Sequence, residues 1–508
     1  MEHVNKFDKY NYKELNYKRG SGILMHISSL PGKYGIGTFG EEAYDFVDFL
    51  ELAKQKYWQV LPLGPTGYGD SPYQSYSSFA GNPYFIDLES LEKDGLIEND
   101  YRFDDYGDPE KANYEKVALL KVEVLKDAFK RSRSRDLHGF TAFLEQEKYW
   151  LEDYALFMAI KEDQNGIPWY EWDENLKNRE EDALNQKRQE LKELIDYQYF
   201  IQFLFYRQYG KLKKYANEKG IKIIGDLPIY VAHDSCDAWK DTRIFQLDES
   251  LDLKYQGGCP PDSFSEDGQT WGNPVYNWDI LKEENYVWWM ERLGASLKLF
   301  DILRLDHFRG FESYWRIPAG EKSAKNGEWV QGPANDFFDK VKEVFPDREI
   351  IAEDLGYMTE EVTEMRKRTG YPGMKVLQFA FDVSEESEYL PHNVERNWVM
   401  YTGTHDNDTL GGWIENATEE EKEFARNYLK LTDDEGEVWG MIRGVWSSVA
   451  DTAIAQMQDF LELGTGARMN VPGTIHHWTW RVRKEQLTKE LASRIGNLTK
   501  LYSRFKEE

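Results

Sequence analysis

The chain has 508 residues, and 91 acidic side chains against 63 basic ones leave a formal net charge of −28, which repels nucleic acid and anionic membranes but not a neutral ligand. Hydrophobic residues at 41 % exclude a disordered chain, and two cysteines, Cys236 and Cys259, are too few for a disulfide framework or a zinc site. The polar N-terminus "MEHVNKFDKYNYKELNYKRG" lacks an apolar core, and no stretch approaches about 18 consecutive apolar residues, so the expected setting is reducing and cytoplasmic, with no signal peptide or membrane helix.

The first β-rich run is "GILMHISSL" (22–30). In "EEAYDFVDFLELAKQ" (41–55), Ala43, Phe46, Val47 and Leu50 fall on one helical stripe. The second run, "YWQVLPLG" (57–64), opens into a Gly/Pro-rich loop containing Tyr73, a setting suited to ligand contact. The following stretch is far longer than the roughly 30 residues of one βα unit. Rich in helix formers and tryptophan, as in "KYWLEDYALFMAI" (148–160), residues 84–200 are expected as inserted, mainly helical subdomains. Charged "REEDALNQKRQELKELID" (179–196) reads as a solvated helix face. A helix over 198–220 ends on Gly220, just before the third run, "IKIIGDLPIYV" (221–231). "QGGCPPDSFSEDGQTWGNP" (256–274) is expected as a long loop over the site, of the kind that forms lids.

Four more runs follow: "DILRLDHF" (301–308), "EIIAEDLG" (349–356), "GMKVLQFAF" (373–381) and "NWVMYTGTHDN" (397–407). A helix over 418–430 has an acidic first turn, and "TDDEGE" (432–437) lacks the spacing of a calcium loop. "ARMNVPGT" (467–474) is read as the eighth run. Eight apolar strands alternating with helices predict an α/β fold, a (β/α)8 TIM barrel with helical insertions, as one catalytic domain over 1–508.

Barrel active sites sit at the C-terminal ends of the strands. Asp226 ends the third run, Asp306 the fourth, Glu353 the fifth, His405 and Asp406 the seventh, and Asn470 lies in the eighth. Carboxylates converging on one axis repel unless compensated, which marks a functional cluster. Arg304 and Asp306, two apart on a strand, share a face, and His307 lies opposite as a structural residue. A ring of carboxylates suits Mg²⁺ or Ca²⁺, but no metal-ligand spacing appears, adjacent His476 and His477 do not chelate one ion, and Arg304 repels a cation, so no metal is expected. Glycoside chemistry fits better. It needs one ionised and one protonated carboxyl. Arg304 favours ionised Asp306 as nucleophile. Partial burial favours a protonated Glu353 as acid, with neighbouring Asp354 on the opposite strand face. His405 and Asp406 are placed to hydrogen-bond ring hydroxyls.

"PLGPTGYGDSPYQSYSSFAGNP", "GDLPIYV", "RLDHFRG", "IAEDLG" and "GTHDN", in this order, resemble the amylomaltases, the 4-α-glucanotransferases or disproportionating enzymes of glycoside hydrolase family 77. The resemblance runs from about residue 21 to the end. It implies a retaining double displacement, with Asp306 as the nucleophile, Glu353 as acid and then base, and Asp406 as transition-state stabiliser. Tyr73, Asp226, Arg304 and His405 would line the donor subsite, and Gln269, Trp271 and Asn470 would contact the glucan near the scissile bond. The stretch 256–274 would arch over the site, with Ser263–Phe264 where relatives often carry an aromatic pair, so that Phe264 supplies one ring for the acceptor side. The implied partners are maltooligosaccharides and α-1,4-glucans, with no cofactor. No Gly-rich phosphate loop marks a nucleotide-sugar donor. The residues alone leave open an α-glucan hydrolase of the same clan and a non-catalytic glucan-binding barrel, although Asp306, Glu353 and Asp406 are all present.

Overall fold

The computed structural model describes residues 19–98, 107–261, 265–384, 386–475 and 477–505. Twelve strands occur among them: β1 (Gly20–Leu24), β2 (Tyr57–Gln59), β3 (Lys222–Leu227), β4 (Tyr255–Cys259), β5 (Gln269–Pro274), β6 (Ile302–Leu305), β7 (Ser313–Pro318), β8 (Glu328–Gln331), β9 (Glu349–Ala352), β10 (Gly373–Val376), β11 (Trp398–Tyr401) and β12 (Thr452–Gln456). Eight of these run parallel in the order β10-β11-β12-β1-β2-β3-β6-β9, and the other four form an antiparallel sheet, β5-β4-β7-β8. Ile223, Ile224, Leu303, Leu305, Ile350 and Ile351 are all buried, as expected of parallel strands with a packed lumen on one side and helices on the other.

The eight-stranded sheet curls until β9 stands beside β10, giving a nearly closed (β/α)8 barrel. Two hydrogen bonds fasten that seam. The Ala352 amide donates to the Pro372 carbonyl at 2.9 Å, and the Met374 amide donates to Asp354 Oδ1 at 2.7 Å. A side chain thus does the work of a ladder carbonyl. Gly373 is required beside it, because a Cβ there would lie 2.4 Å from Asp354 Oδ2. Parallel pairing of β12 with both β1 and β11 completes the circle. Arg504 locks the β1 side of that join. Fully buried, it donates to the carbonyls of Gly20 and Ala450 at 3.0 Å, Trp446 at 2.9 Å and Ser448 at 3.1 Å.

Two expectations need correction. The eighth strand is Thr452–Gln456, not 467–474. Its alanines, Ala453 and Ala455, are buried at the strand join, but their small side chains make the run look weakly apolar. In 467–474, Pro472 and Gly473 interrupt any strand, and the segment forms a short 3₁₀ turn and then a loop, so Asn470 lies beyond the strand. Likewise, 256–274 contains a β-hairpin, β4 paired with β5, rather than a loop throughout. Glycine permits the close pairing: a Cβ on Gly258 would stand 2.1 Å from the Gln269 carbonyl oxygen.

Helices run between the strands. In Glu41–Leu52, Ala43, Phe46, Val47 and Leu50 are all buried. Helices Tyr114–Ser132, Phe140–Asp163 and Lys192–Glu218 lie between β2 and β3, and the last of these also packs on β3. The helix Glu419–Leu429 begins with a capping box in which Thr418 and Glu421 bond each other's backbone amides.

Candidate active site

The register of β3 and β6 places Asp226 directly beside Arg304. Arg304 Nη1 donates to both Asp226 oxygens at 2.7 Å and to Asp306 Oδ1 at 3.0 Å. Asp226 has no exposed side-chain surface, whereas Asp306 keeps 26 % of its side chain open. Asp306 lies just past β6 but prolongs its pairing, donating its amide to the Leu227 carbonyl at 3.0 Å.

The chain then turns sharply. His307 adopts the left-handed region at φ 49°, and its amide donates to Glu353 Oε2 at 2.7 Å. Glu353 Oε1 accepts from the Leu355 amide at 3.2 Å. Glu353 is therefore held by the residue next to Asp306. Strand alternation ends at Leu305, so the expectation that His307 turns to the opposite strand face does not apply; its ring meets Trp271 edge-on at 4.9 Å. Asp354 faces away from Glu353 into the seam, where it pairs with Arg366 at 2.9 Å.

Burial sets the electrostatics. It pushes Glu353 up to about 8, helped by neighbouring Asp306 and opposed by Arg304 and the His307 amide. Burial also raises Asp226 and Asp306, while the Arg304 guanidinium pulls both back toward the charged form. His405 is lowered by burial, against the pull of Asp406, and is a neutral imidazole at pH 7.

The loop after β11 supplies the other wall. Asn470 Nδ2 donates to Asp406 Oδ1 at 2.6 Å, and Asp406 lies 3.4 Å from His405 Nε2. Tyr73 stacks on His405 at 5.1 Å, and its hydroxyl donates to Asp226 Oδ2 at 2.8 Å. Trp271 and Gln269 lie on β5 of the hairpin, where the indole donates to Gln269 Oε1 at 3.1 Å. Gln74 donates to the Trp271 carbonyl at 3.2 Å, joining the Tyr73 loop to the hairpin. Phe264 and His476 lie outside the described residues.

Sequence reasoning missed Arg468 and Trp478. Arg468 donates to the carbonyls of Asp406 at 2.5 Å and Asn470 at 2.7 Å, clamping the two residues' loops together. Trp478 packs 5.7 Å from Tyr73 and 5.8 Å from His405. Proximity of Arg468 to Asn470 in the chain was the one available signal.

A cavity of about 540 Å³ opens at the opposite, N-terminal end of the strands. Three carboxylates on its wall are held in ion pairs: Glu349 with Lys222, Asp339 with Arg368 and Asp451 with Arg396. That end of a barrel serves stability rather than chemistry. Among the described residues no group of three His, Cys, Asp or Glu side chains is arranged to hold a metal ion, and no helix is long and apolar enough to cross a membrane.

A family model described as 4-alpha-glucanotransferase matches residues 25–488. A 4-alpha-glucanotransferase of Clostridium butyricum is 55 % identical, covering 94 % of this chain and all of the relative. One from Streptococcus pneumoniae is 49 % identical over 96 % of this chain and 98 % of the relative. Among solved structures, an amylomaltase from Streptococcus agalactiae in complex with acarbose superposes with a TM-score of 0.94 at 43 % identity, covering 96 % of this chain and 100 % of that one.

Proposed function

The chain belongs to the 4-alpha-glucanotransferase family and is an enzyme of that transferase class, and we propose that it moves α-1,4-glucan segments by a retaining double displacement on Asp306 and Glu353. The observation that carries this reading is the unequal pair. Glu353, raised to about 8, holds its proton at neutral pH, and Asp306 stands on the Arg304 guanidinium at 3.0 Å. Those are the states an acid and a nucleophile need.

In the first step the Asp306 carboxylate attacks the anomeric carbon of the donor. The glycosidic C–O bond breaks, and Glu353 gives its proton to the departing oxygen. The product is a glucosyl ester of Asp306 with an ionised Glu353. In the second step the 4-hydroxyl of an acceptor sugar enters, Glu353 takes its proton, and the oxygen displaces Asp306. Two inversions leave the α configuration retained. Asp406, held by Asn470, is placed to hydrogen-bond ring hydroxyls and to offset positive charge on the flattened ring. Tyr73, Asp226, Arg304 and His405 form a preorganised wall for the donor ring, and Gln269 and Trp271 one for the chain near the scissile bond.

Maltooligosaccharides and α-1,4-glucans are the substrates in this reading; a relative bound to acarbose supports an oligosaccharide cleft. The reading retains a cytoplasmic setting and places residues 84–200 as an insertion on the barrel. Phe264 would add one acceptor-side ring. Incubation with maltotriose, with products resolved by chain length, tests it. Glucose together with a ladder of longer maltooligosaccharides is expected, and Asp306→Asn should abolish the ladder. Glucose and maltose alone, with rising reducing ends, would instead make the enzyme a hydrolase.

A further inference from the structure

Two large aromatic side chains stand exposed around one buried cation at the edge of the antiparallel sheet. Tyr357 is 71 % exposed and Trp329, on β8, is 38 % exposed, while Arg309 between them is 5 % exposed. The Arg309 guanidinium lies 3.8 Å from the centre of the Trp329 ring and 5.5 Å from that of Tyr357. Its Nη1 donates to the Tyr357 carbonyl and its Nη2 to Ser313 Oγ at 3.2 Å. Among the described residues no carboxylate lies within ion-pair distance of Arg309, and its Nε has no hydrogen-bond partner. Trp315 meets Trp329 edge-on at 5.1 Å and donates its own indole N–H to the Ala324 carbonyl at 2.9 Å.

The group is anchored in the catalytic loops. Arg309 follows Asp306 by three residues and Tyr357 follows Glu353 by four, so the extended chain spans at most about 11 and 14 Å respectively. The Arg309 charge reaches His307 and adds to the burial that lowers that imidazole. β8 belongs to the same sheet as the hairpin carrying Trp271.

We propose that Trp329, Arg309 and Tyr357 form a stacking subsite for an α-1,4-glucan segment on the leaving-group and acceptor side of the scissile bond, which favours longer chains as acceptors. The proposal rests on the glucanotransferase reading above. Glucose rings present apolar faces with hydroxyl edges, which suit exposed aromatic rings. Trp329 is held by Arg309 and Trp315 before ligand arrives, so little ordering cost opposes stacking on it. Tyr357 follows the acid that protonates the departing oxygen, which puts the platform on the leaving-group side. A purely structural brace needs Arg309 and the Tyr357 carbonyl, and gives the exposed Tyr357 ring no role.

The test is the acceptor-length dependence of Tyr357→Ala, Trp329→Ala and the double variant, with maltotriose as donor and glucose or maltoheptaose as acceptor. The ratio of the KM for maltoheptaose to that for glucose should rise about tenfold, the loss of one aromatic contact. Tyr357→Phe, which keeps the ring, should restore the native ratio. An unchanged ratio, whether both constants move or neither does, would reduce the platform to a brace and overturn the proposal. Titration of maltose and maltoheptaose into the Asp306→Asn protein reads binding without turnover. If the native protein fails to lengthen maltotriose, the transferase reading falls; a loss of the maltoheptaose preference in Tyr357→Ala on the Asp306→Asn background would still support a glucan platform, and equal affinities would overturn it.

Discussion

Arg304 answers two carboxylates with a single nitrogen, Nη1, at 2.7 Å from Asp226 and 3.0 Å from Asp306. Replacing it with methionine would leave the buried Asp226 and the partly open Asp306 without their cation. Arg304→Met should eliminate transfer and destabilise the fold by about 3–5 kcal/mol, read as a lowered urea midpoint. Glu353 titrates near 8 in the folded protein and near 4.3 in an unfolded chain. Between those values the folded state holds a proton that the unfolded state has released, so rising pH removes stability until it passes the folded value. Glutamine cannot ionise. Glu353→Gln should therefore be inactive in transfer yet more stable than the native protein at pH 8, by at least about 1 kcal/mol, with the two converging near pH 4. In the native enzyme kcat/KM should fall on an alkaline limb near pH 8 as the acid loses its proton. Asn470→Ala frees Asp406 Oδ1 of its 2.6 Å partner and should lower kcat/KM about tenfold, the worth of one hydrogen bond to a charged group. The carboxylates were legible because each ends a short apolar run, and Arg304 because it shares a strand face with Asp306. Arg468 and Trp478 were not, since their roles depend on the path of a loop that no periodicity marks.

At the level of elements, the seam between β9 and β10 is the weakest place in the barrel wall, because a carboxylate replaces part of the ladder. Asp354 accepts from the Met374 amide and pairs with Arg366, and burial raises it to about 6. Asp354→Ala should accelerate amide exchange over residues 373–376 selectively and cost about 1–3 kcal/mol, the penalty for an unsatisfied buried amide. Gly373→Ala should reach the same seam by steric clash with Asp354 and the Trp398 ring. Seven barrel strands were readable because their runs are β-rich and apolar. β12 escaped because a strand of small residues at a crowded join has little hydrophobic signal, although Ala453 and Ala455 are fully buried. The hairpin escaped for the opposite reason. Its glycines and prolines resemble loop composition, yet those glycines admit the close approach of β5 to β4.

The whole molecule carries a net charge of −28, which repels itself most when the chain is compact. Raising ionic strength from low salt to about 0.15 M should raise the melting temperature, because mobile ions screen that repulsion. Glucan affinity should barely change, since the substrate is uncharged. The (β/α)8 class was readable from alternation alone, whereas its closure was not, because closure depends on contacts between the two ends of the sequence. Arg504 makes the most distant of these, 484 residues from Gly20, and burial lowers its guanidinium to about 9 with five backbone carbonyls as its acceptors. That clasp bears on how the protein is born. β1 emerges first from the ribosome, but its anchor emerges roughly half a minute to a minute and a half later at about 5–20 residues per second. Through that interval the first strand lacks the partner on one of its edges, and an open edge of that kind is a template on which another strand can pair.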